Sequence, residues 1–303
     1  MSIIPKVVDA VSLGEIMIES IFETKSALPI NSTIVASGSD KHLVLGGAAI
    51  NVCWYLSLLG RSARLVAPIS DRHMKGLSRE LNISRIDLSG VIRNNGETDH
   101  LITILSPEGH RSIYTLGTIP VDLKRRMVNQ SRTGRIIILN GGRHHEIRRA
   151  FGELADGCSD RLVAFNPSYA IYEYSPDELA GLLKKCDVCY LNEDEYKFAK
   201  TSSKTDSIEY MPRVAFVVTR SNKGAWMFSN NHHYKYKSLV NREGVFLGAG
   251  DACLAGFLSG LLEELTPIQA LQRGLRLAAL VVKRGGIRTK ISKADRLSIL
   301  GLQ

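Results

Sequence analysis

The stretch Gly248-Ala249-Gly250-Asp251, followed by ACLAGFLSGLLEEL, carries the strongest local signal for chemistry. The apolar spacing after Asp251 is helical. Two glycines just ahead of a helix allow close approach and unusual dihedrals. The first helical N–H groups have no intrahelical acceptor, and with the helix dipole they make a small anion site. A phosphoryl group in transfer builds charge on its equatorial oxygens, and such donors stabilise it. A carboxylate alongside, Asp251, is suited to accept the proton of an attacking hydroxyl. On local chemistry alone the same carboxylate reads equally well as a helix cap.

These groups must be carried by something rigid. Residues 7–19 read as a buried strand that ends near Gly14-Glu15 and continues in extended form. Residues 63–67, 136–140, 162–165, 187–191 and 214–218 read as further strands, with Ala225–Phe228 after a turn at Asn222-Lys223-Gly224. Helical patterns span 48–59, 71–81, 144–156, 249–263 and 267–284, and others start at Ser175-Pro176 and Asn192. Alternating apolar strands and amphipathic helices predict an α/β fold, a mostly parallel central sheet with helices on both faces. Ligands in such folds bind at the carboxyl ends of the strands. That rule points to Gly14-Glu15, Gly141-Gly142, Asn166, Asn192 and Thr219. Residues 88–118 break the rhythm with short strands and turns at Asn94-Asn95-Gly96 and Pro107-Glu108-Gly109. The expected organisation is one large domain, 1–87 and 119–303, with 88–118 as a small β-sheet lid; the plainer reading of 88–118 is a surface hairpin.

Composition narrows the function. The chain has 303 residues, 44% hydrophobic and 23% charged, as in ordinary soluble globular proteins. A net charge of +9 attracts anions, nucleoside triphosphates included. The densest basic group, Lys124-Arg125-Arg126, has no interleaved aromatics, so no specific nucleic-acid partner is expected. No leader pattern or spanning apolar run appears, and five scattered cysteines suggest reduced thiols; the expectation is a cytoplasmic chain with no membrane partner. Cys186 and Cys189 read as buried thiols rather than a redox pair. There is no G-x-x-x-x-G-K-[ST] loop, G-x-G-x-x-G turn or G-x-S-x-G elbow.

The ordered set of motifs resembles the ribokinase-like, or PfkB, family of carbohydrate and nucleoside kinases. It comprises Gly14-Glu15 with Glu19, Gly46-Gly47-Ala48-Ala49-Ile50-Asn51, Asp71 and Gly76, Asn192-Glu193-Asp194-Glu195, Thr219 with Gly224, the Gly248–Asp251 run, and Arg284-Gly285-Gly286. The resemblance implies ATP and Mg²⁺ as co-substrate and cofactor, with Asp251 as the base and Gly248, Ala249 and Gly250 as the backbone anion hole. It implies that Asn192 and Glu195 organise phosphates and Mg²⁺, Glu195 through water. Their spacing puts both on one face of a first helical turn, where they read alternatively as an N-cap and its capping-box partner. Gly46, Gly47 and Asn51 match the acceptor motif. Glu15 and Glu19 lie where the family places an acceptor-binding acid, and Glu19 fits better. Thr219, Arg220 and Gly224 fall on the nucleotide side, although Arg220 also reads as a solvent-facing residue. Arg111, in the expected lid, either meets an acidic substituent of the acceptor or is solvated. The implied acceptor is a sugar, sugar acid or polyol, with a nucleoside as alternative, and related kinases suggest a homodimer through the lid. Val245, Phe246 and Leu247 replace the usual hydroxyl and acidic side chains before the anion hole. This argues against K⁺ activation and keeps open a non-catalytic sugar- or nucleotide-binding role on the same scaffold.

Overall fold

In the computed structural model, residues 7–24, 44–82, 85–106, 109–203, 207–240 and 247–302 are described. Among them the main sheet has nine strands, in the spatial order His232–Tyr236, Ala225–Ser229, Ala215–Thr219, Val188–Asn192, Leu162–Asn166, Gly134–Asn140, Val8–Leu13, Ala63–Val66, Ile86–Asp87. The pairings from Ala215–Thr219 to Ile86–Asp87 are all parallel, and the two at the other edge are antiparallel. The α/β architecture expected from the strand and helix rhythm is the one found.

Runs such as Ile136–Leu139 are apolar at every position because both faces of a parallel sheet are covered. Ile136, Ile138, Tyr190 and Val217 face one core. This core is closed by the helices Ala48–Leu58, Ala249–Leu262 and Pro267–Lys283. Ile137, Leu139, Phe165 and Val218 face the other core, under the helices Leu123–Gln130, His145–Gly157, Pro176–Lys185 and Glu193–Ser202. Helices Ala249–Leu262 and Pro267–Lys283 approach closely where a Cβ on Gly256 would stand 2.7 Å from the Gly274 Cα. That contact fixes the helix whose first turn carries Asp251.

A second sheet, of four strands among the described residues, is ordered Val44–Gly46, Met17–Glu23, Asp99–Ser106, Gly109–Thr115. Two strands come from the 88–118 segment and two from earlier in the chain. The break at Gly14–Ile16 lets the chain leave the main sheet and pair Met17–Glu23 in parallel with Asp99–Ser106. Ile92–Asn94 pairs instead with Pro68–Ser70. Backbone pairing places Arg111 opposite Ile104. The side chains of 105–114, Arg111 among them, lie outside the described residues, as do Pro107-Glu108 and the dimer surface expected of the lid. No helix among the described residues is long and apolar enough to cross a membrane, and the five cysteines are free and buried.

Candidate active site

The carboxyl ends of the strands open into two adjoining cavities. The first, about 470 Å³, is bounded by Glu19, Gly47, Asn51, Asn166, Glu195 and Asp251, with Met17, Leu101 and Tyr169 as its less polar wall. The second, about 430 Å³, is bounded by Glu193, Arg220, Gly224 and Ser238, with an apolar side of Leu239, Ala278 and Val282. Asn192, Thr219 and Gly250 line both. The first turn of helix Ala249–Leu262 therefore stands at the junction.

Gly248 begins that turn in the left-handed region, with φ 80°, a conformation that a side chain would oppose. Asp251 lies one residue beyond Gly250, partly buried, and its Oδ2 accepts a hydrogen bond of 2.8 Å from Asn51 Nδ2. Burial pushes the Asp251 carboxyl up to about 7; the Asn51 bond opposes the shift and the Glu19 charge adds to it. Asn51 is buried, and its Oδ1 has no hydrogen-bond partner among the described residues. That oxygen is a ready acceptor for a ligand hydroxyl.

Gly46-Gly47 lets the strand Met17–Glu23 press against the start of helix Ala48–Leu58. A Cβ on Gly46 would overlap the Glu19 carboxylate, and Gly47 has φ 111°. Glu19 Oε1 accepts from the Gly47 amide at 3.2 Å, and burial raises the carboxyl above its ordinary value. Glu15 is placed differently. Its Oε1 accepts from the Gly142 amide at 3.0 Å and the Arg143 amide at 2.5 Å, and it lines neither cavity. Glu15 thus joins the ends of two neighbouring central strands, beside the buried His144–Asp99 pair at 2.9 Å. Glu15→Ala would orphan one buried and one partly buried amide. It is expected to cost about 3 kcal/mol in urea unfolding while leaving ligand affinity at the cleft unchanged.

Asn192 caps helix Glu193–Ser202, accepting from the Asp194 and Glu195 amides, each at 2.9 Å. Glu195 reciprocates, accepting from the Asn192 amide at 2.9 Å and from its Nδ2 at 2.6 Å. The capping-box geometry is thus present, and both residues also line the first cavity. Burial, with the Asp251 charge as a smaller contribution, raises Glu195 to about 7. Arg220 does not project freely into solvent. It pairs with Glu193 at 3.2 Å and lies 3.9 Å over the Trp226 ring. Thr219 and Gly224 border the second cavity. Val245 and Phe246 lie outside the described residues, whereas Leu247 lines the first cavity.

Several lining residues were not assigned from sequence. Asn166 reads from the sequence only as a strand end; its Nδ2 donates to Asn140 Oδ1 at 2.9 Å. Tyr169 reaches the cavity from a 3₁₀ turn over Ser168–Glu173 and has no helical or strand period to announce it. Ile287 arrives from the far end of the chain.

A model of the pfkB family carbohydrate kinase matches residues 8–294. The chain is 22% identical to a nucleoside kinase of Methanocaldococcus jannaschii, over 94% of each chain. It is 24% identical to an uncharacterized sugar kinase of Escherichia coli, over 80% of this chain and 79% of that one. The fold superposes on the M. jannaschii nucleoside kinase with TM-score 0.80 at 18% identity, covering 98% of this chain and 99% of that one. On a Burkholderia thailandensis nucleoside kinase in complex with inosine the TM-score is 0.81 at 17% identity, covering 96% and 98%. On the Thermotoga maritima ribokinase it is 0.78 at 19%, covering 98% and 100%. With a match that runs through both cavities and nearly the whole length, the chain belongs to the pfkB family of carbohydrate kinases.

Proposed function

We propose that the chain transfers the γ-phosphoryl group of ATP to a hydroxyl of a sugar, sugar acid or related polyol, with Asp251 as the base. The observation that carries this is the meeting of two cavities at Gly250 and Asp251. The second cavity, with its apolar wall, takes the nucleotide, and the first takes the acceptor. Asp251 accepts the hydroxyl proton as the acceptor oxygen bonds to the γ-phosphorus. The bond from that phosphorus to the bridging oxygen breaks, and ADP leaves. The free amides of the Gly248–Asp251 turn face the charge that develops on the phosphoryl oxygens. Glu19 and Asn51 hold the acceptor, with Asn51 also keeping the Asp251 carboxylate turned toward it.

The donor set fits a magnesium ion held with the nucleotide. Glu195 and Asp251 share the first cavity, both with raised pKa values, and a cation near them would offset that strain. Both Glu195 oxygens already accept from Asn192, so Glu195 would hold Mg²⁺ through water. Mg²⁺ supplies charge neutralisation to ATP phosphates.

A nucleoside acceptor is the second reading. Met17, Leu101 and Tyr169 give the first cavity a wall that a base could occupy, and two of the relatives compared above are named nucleoside kinases. An ADP-release screen decides between them. D-ribose, D-fructose, 2-keto-3-deoxygluconate, adenosine and inosine would be offered with MgATP, with and without K⁺. Turnover of at least one acceptor, unchanged by K⁺, is expected. The kcat/KM of that acceptor should fall about tenfold per pH unit below pH 7, as Asp251 takes up a proton, and level off above it. Ligand binding with no ADP release from any acceptor would replace the kinase reading with a binding protein.

A further inference from the structure

The segment after helix Pro267–Lys283 carries Gly285 at φ 88°, Gly286 at φ 114° and Arg288 at φ 51°. A positive φ is strained for arginine and persists only where the surroundings enforce it. Here the Arg288 amide donates to the Tyr55 hydroxyl at 3.0 Å. Tyr55 is one helical turn beyond Asn51 and fully buried. The arginine side chain is only 6% exposed, and its Nη1 lies 2.7 Å from Glu80 Oε1. Neither Nη1 nor Nη2 completes a directional hydrogen bond among the described residues.

A guanidinium removed from water without hydrogen bonds is costly unless negative charge surrounds it. Two carboxylates supply that charge. Glu80 closes helix Asp71–Glu80, and Glu19 lines the acceptor cavity together with Ile287, the chain neighbour of Arg288. The groups acting on Glu19 are the Gly47 amide, the Arg288 guanidinium, and the carboxylates of Glu80 and Asp251. Arg288 is the cation among these groups.

Resting on the kinase reading above, we infer that Arg288 is a positioning residue for acceptor binding: its buried guanidinium is the counter-charge that lets Glu19 face the acceptor as a carboxylate. An ionised carboxylate only accepts hydrogen bonds, so it selects hydroxyl donors; once protonated it loses part of that capacity. Burial alone holds the Glu19 carboxyl high, the Arg288 charge lowers it, and Glu80 raises it. Arg288 thereby tunes the acceptor site without itself lining the cavity, which its neighbour Ile287 does.

The test compares Arg288→Met, Arg288→Lys and Glu80→Gln with the wild type, using the best acceptor of the five-compound panel. In Arg288→Met the acceptor KM at pH 7 is expected to rise about tenfold, with kcat within about threefold, as the Glu19 carboxylate loses its counter-charge. Arg288→Lys restores most of this, whereas a purely steric role would not be rescued. The Glu19 carboxyl titration, followed by ¹³C NMR, should move up in the Met variant and down in Glu80→Gln. AMP-PNP affinity by calorimetry stays unchanged in each, showing an intact nucleotide compartment. An unmoved KM and Glu19 titration in Arg288→Met would overturn the inference, as would a Lys variant as impaired as Met. If the Met variant does not fold, the Lys and Glu80→Gln variants decide by the direction in which Glu19 moves. Absence of turnover in the wild type would count against the kinase reading, while the Glu19 titration would still decide the role of Arg288.

Discussion

Asp251→Asn is expected to lose about a thousandfold in kcat while binding nucleotide as the wild type does, since a positioned general base contributes roughly 10²–10⁴. Asn is nearly isosteric and can still accept from Asn51 Nδ2, so the 2.8 Å contact survives. What is lost is the capacity to take a proton. The same substitution has a second, opposite consequence for stability. Burial raises the folded pKa of Asp251 to about 7, above the value of a solvated carboxyl. For an acid shifted upward, the stabilising contribution is fully present below the unfolded pKa and fades as pH rises through the folded one. The wild type therefore loses stability between about pH 4 and pH 7 from this group. The Asn variant does not lose that part. At pH 8 its Tm should exceed that of the wild type by roughly 2–4 °C, a gap that closes toward pH 4. Turnover within about threefold of wild type would remove Asp251 from the role of base.

Gly250→Leu is expected to lower kcat/KM by about a hundredfold or more, the scale of misplacing reacting groups by an ångström. Gly250 is exposed, lines both cavities, and a Cβ built on it meets no heavy atom within 4 Å. Its missing side chain leaves open the space at the junction of the two cavities, where the proposed transfer takes place. No packing constraint demands glycine there. In a helix, Leu is favoured over Gly by up to about 0.8 kcal/mol, so thermal stability should hold or rise slightly. Loss of turnover with retained or increased Tm is the signature of an occupied transfer position. Full activity would show that the phosphoryl group takes another route, and a large fall in Tm would mean that the space was not open.

Local pattern carried most of this molecule. The strand Gly134–Asn140 reads clearly from IIILN, since burial on both faces removes any polar alternation. The caps at Ser175 and Asn192 read equally clearly, because a capping box spans only four residues. The distinction between Glu15 and Glu19 was less legible. The two are four residues apart, and which of them reaches the cleft depends on the break at Gly14–Ile16, where the chain passes from one sheet to the other. The four-stranded sheet was half legible for a related reason. Met17–Glu23 finds its partner in Asp99–Ser106, and parallel register at that separation leaves no local trace. Helices Leu123–Gln130 and Lys293–Leu300 also went unread: the first is basic and only weakly apolar, and the second is short. Arg288 is the extreme case. Its sequence neighbours, Ile287 and Thr289, say nothing of Glu19 or Glu80, and its role emerges only where loop, helix and strand converge.

The division of the two compartments along the chain has a bearing on how such a protein can diversify. Residues bounding the second cavity all fall between Asn192 and Val282, whereas the first draws much of its wall from Met17 through Thr103. The two compartments interleave beyond that, since Glu195, Leu247, Gly248 and Asp251 line only the first cavity, but its N-terminal wall is encoded apart from the second. On the proposed assignment of the acceptor to the first cavity, substitutions between Met17 and Thr103 would alter the choice of alcohol while leaving every residue of the second cavity in place, so exchange of that portion between homologues is a practical route to altered selectivity.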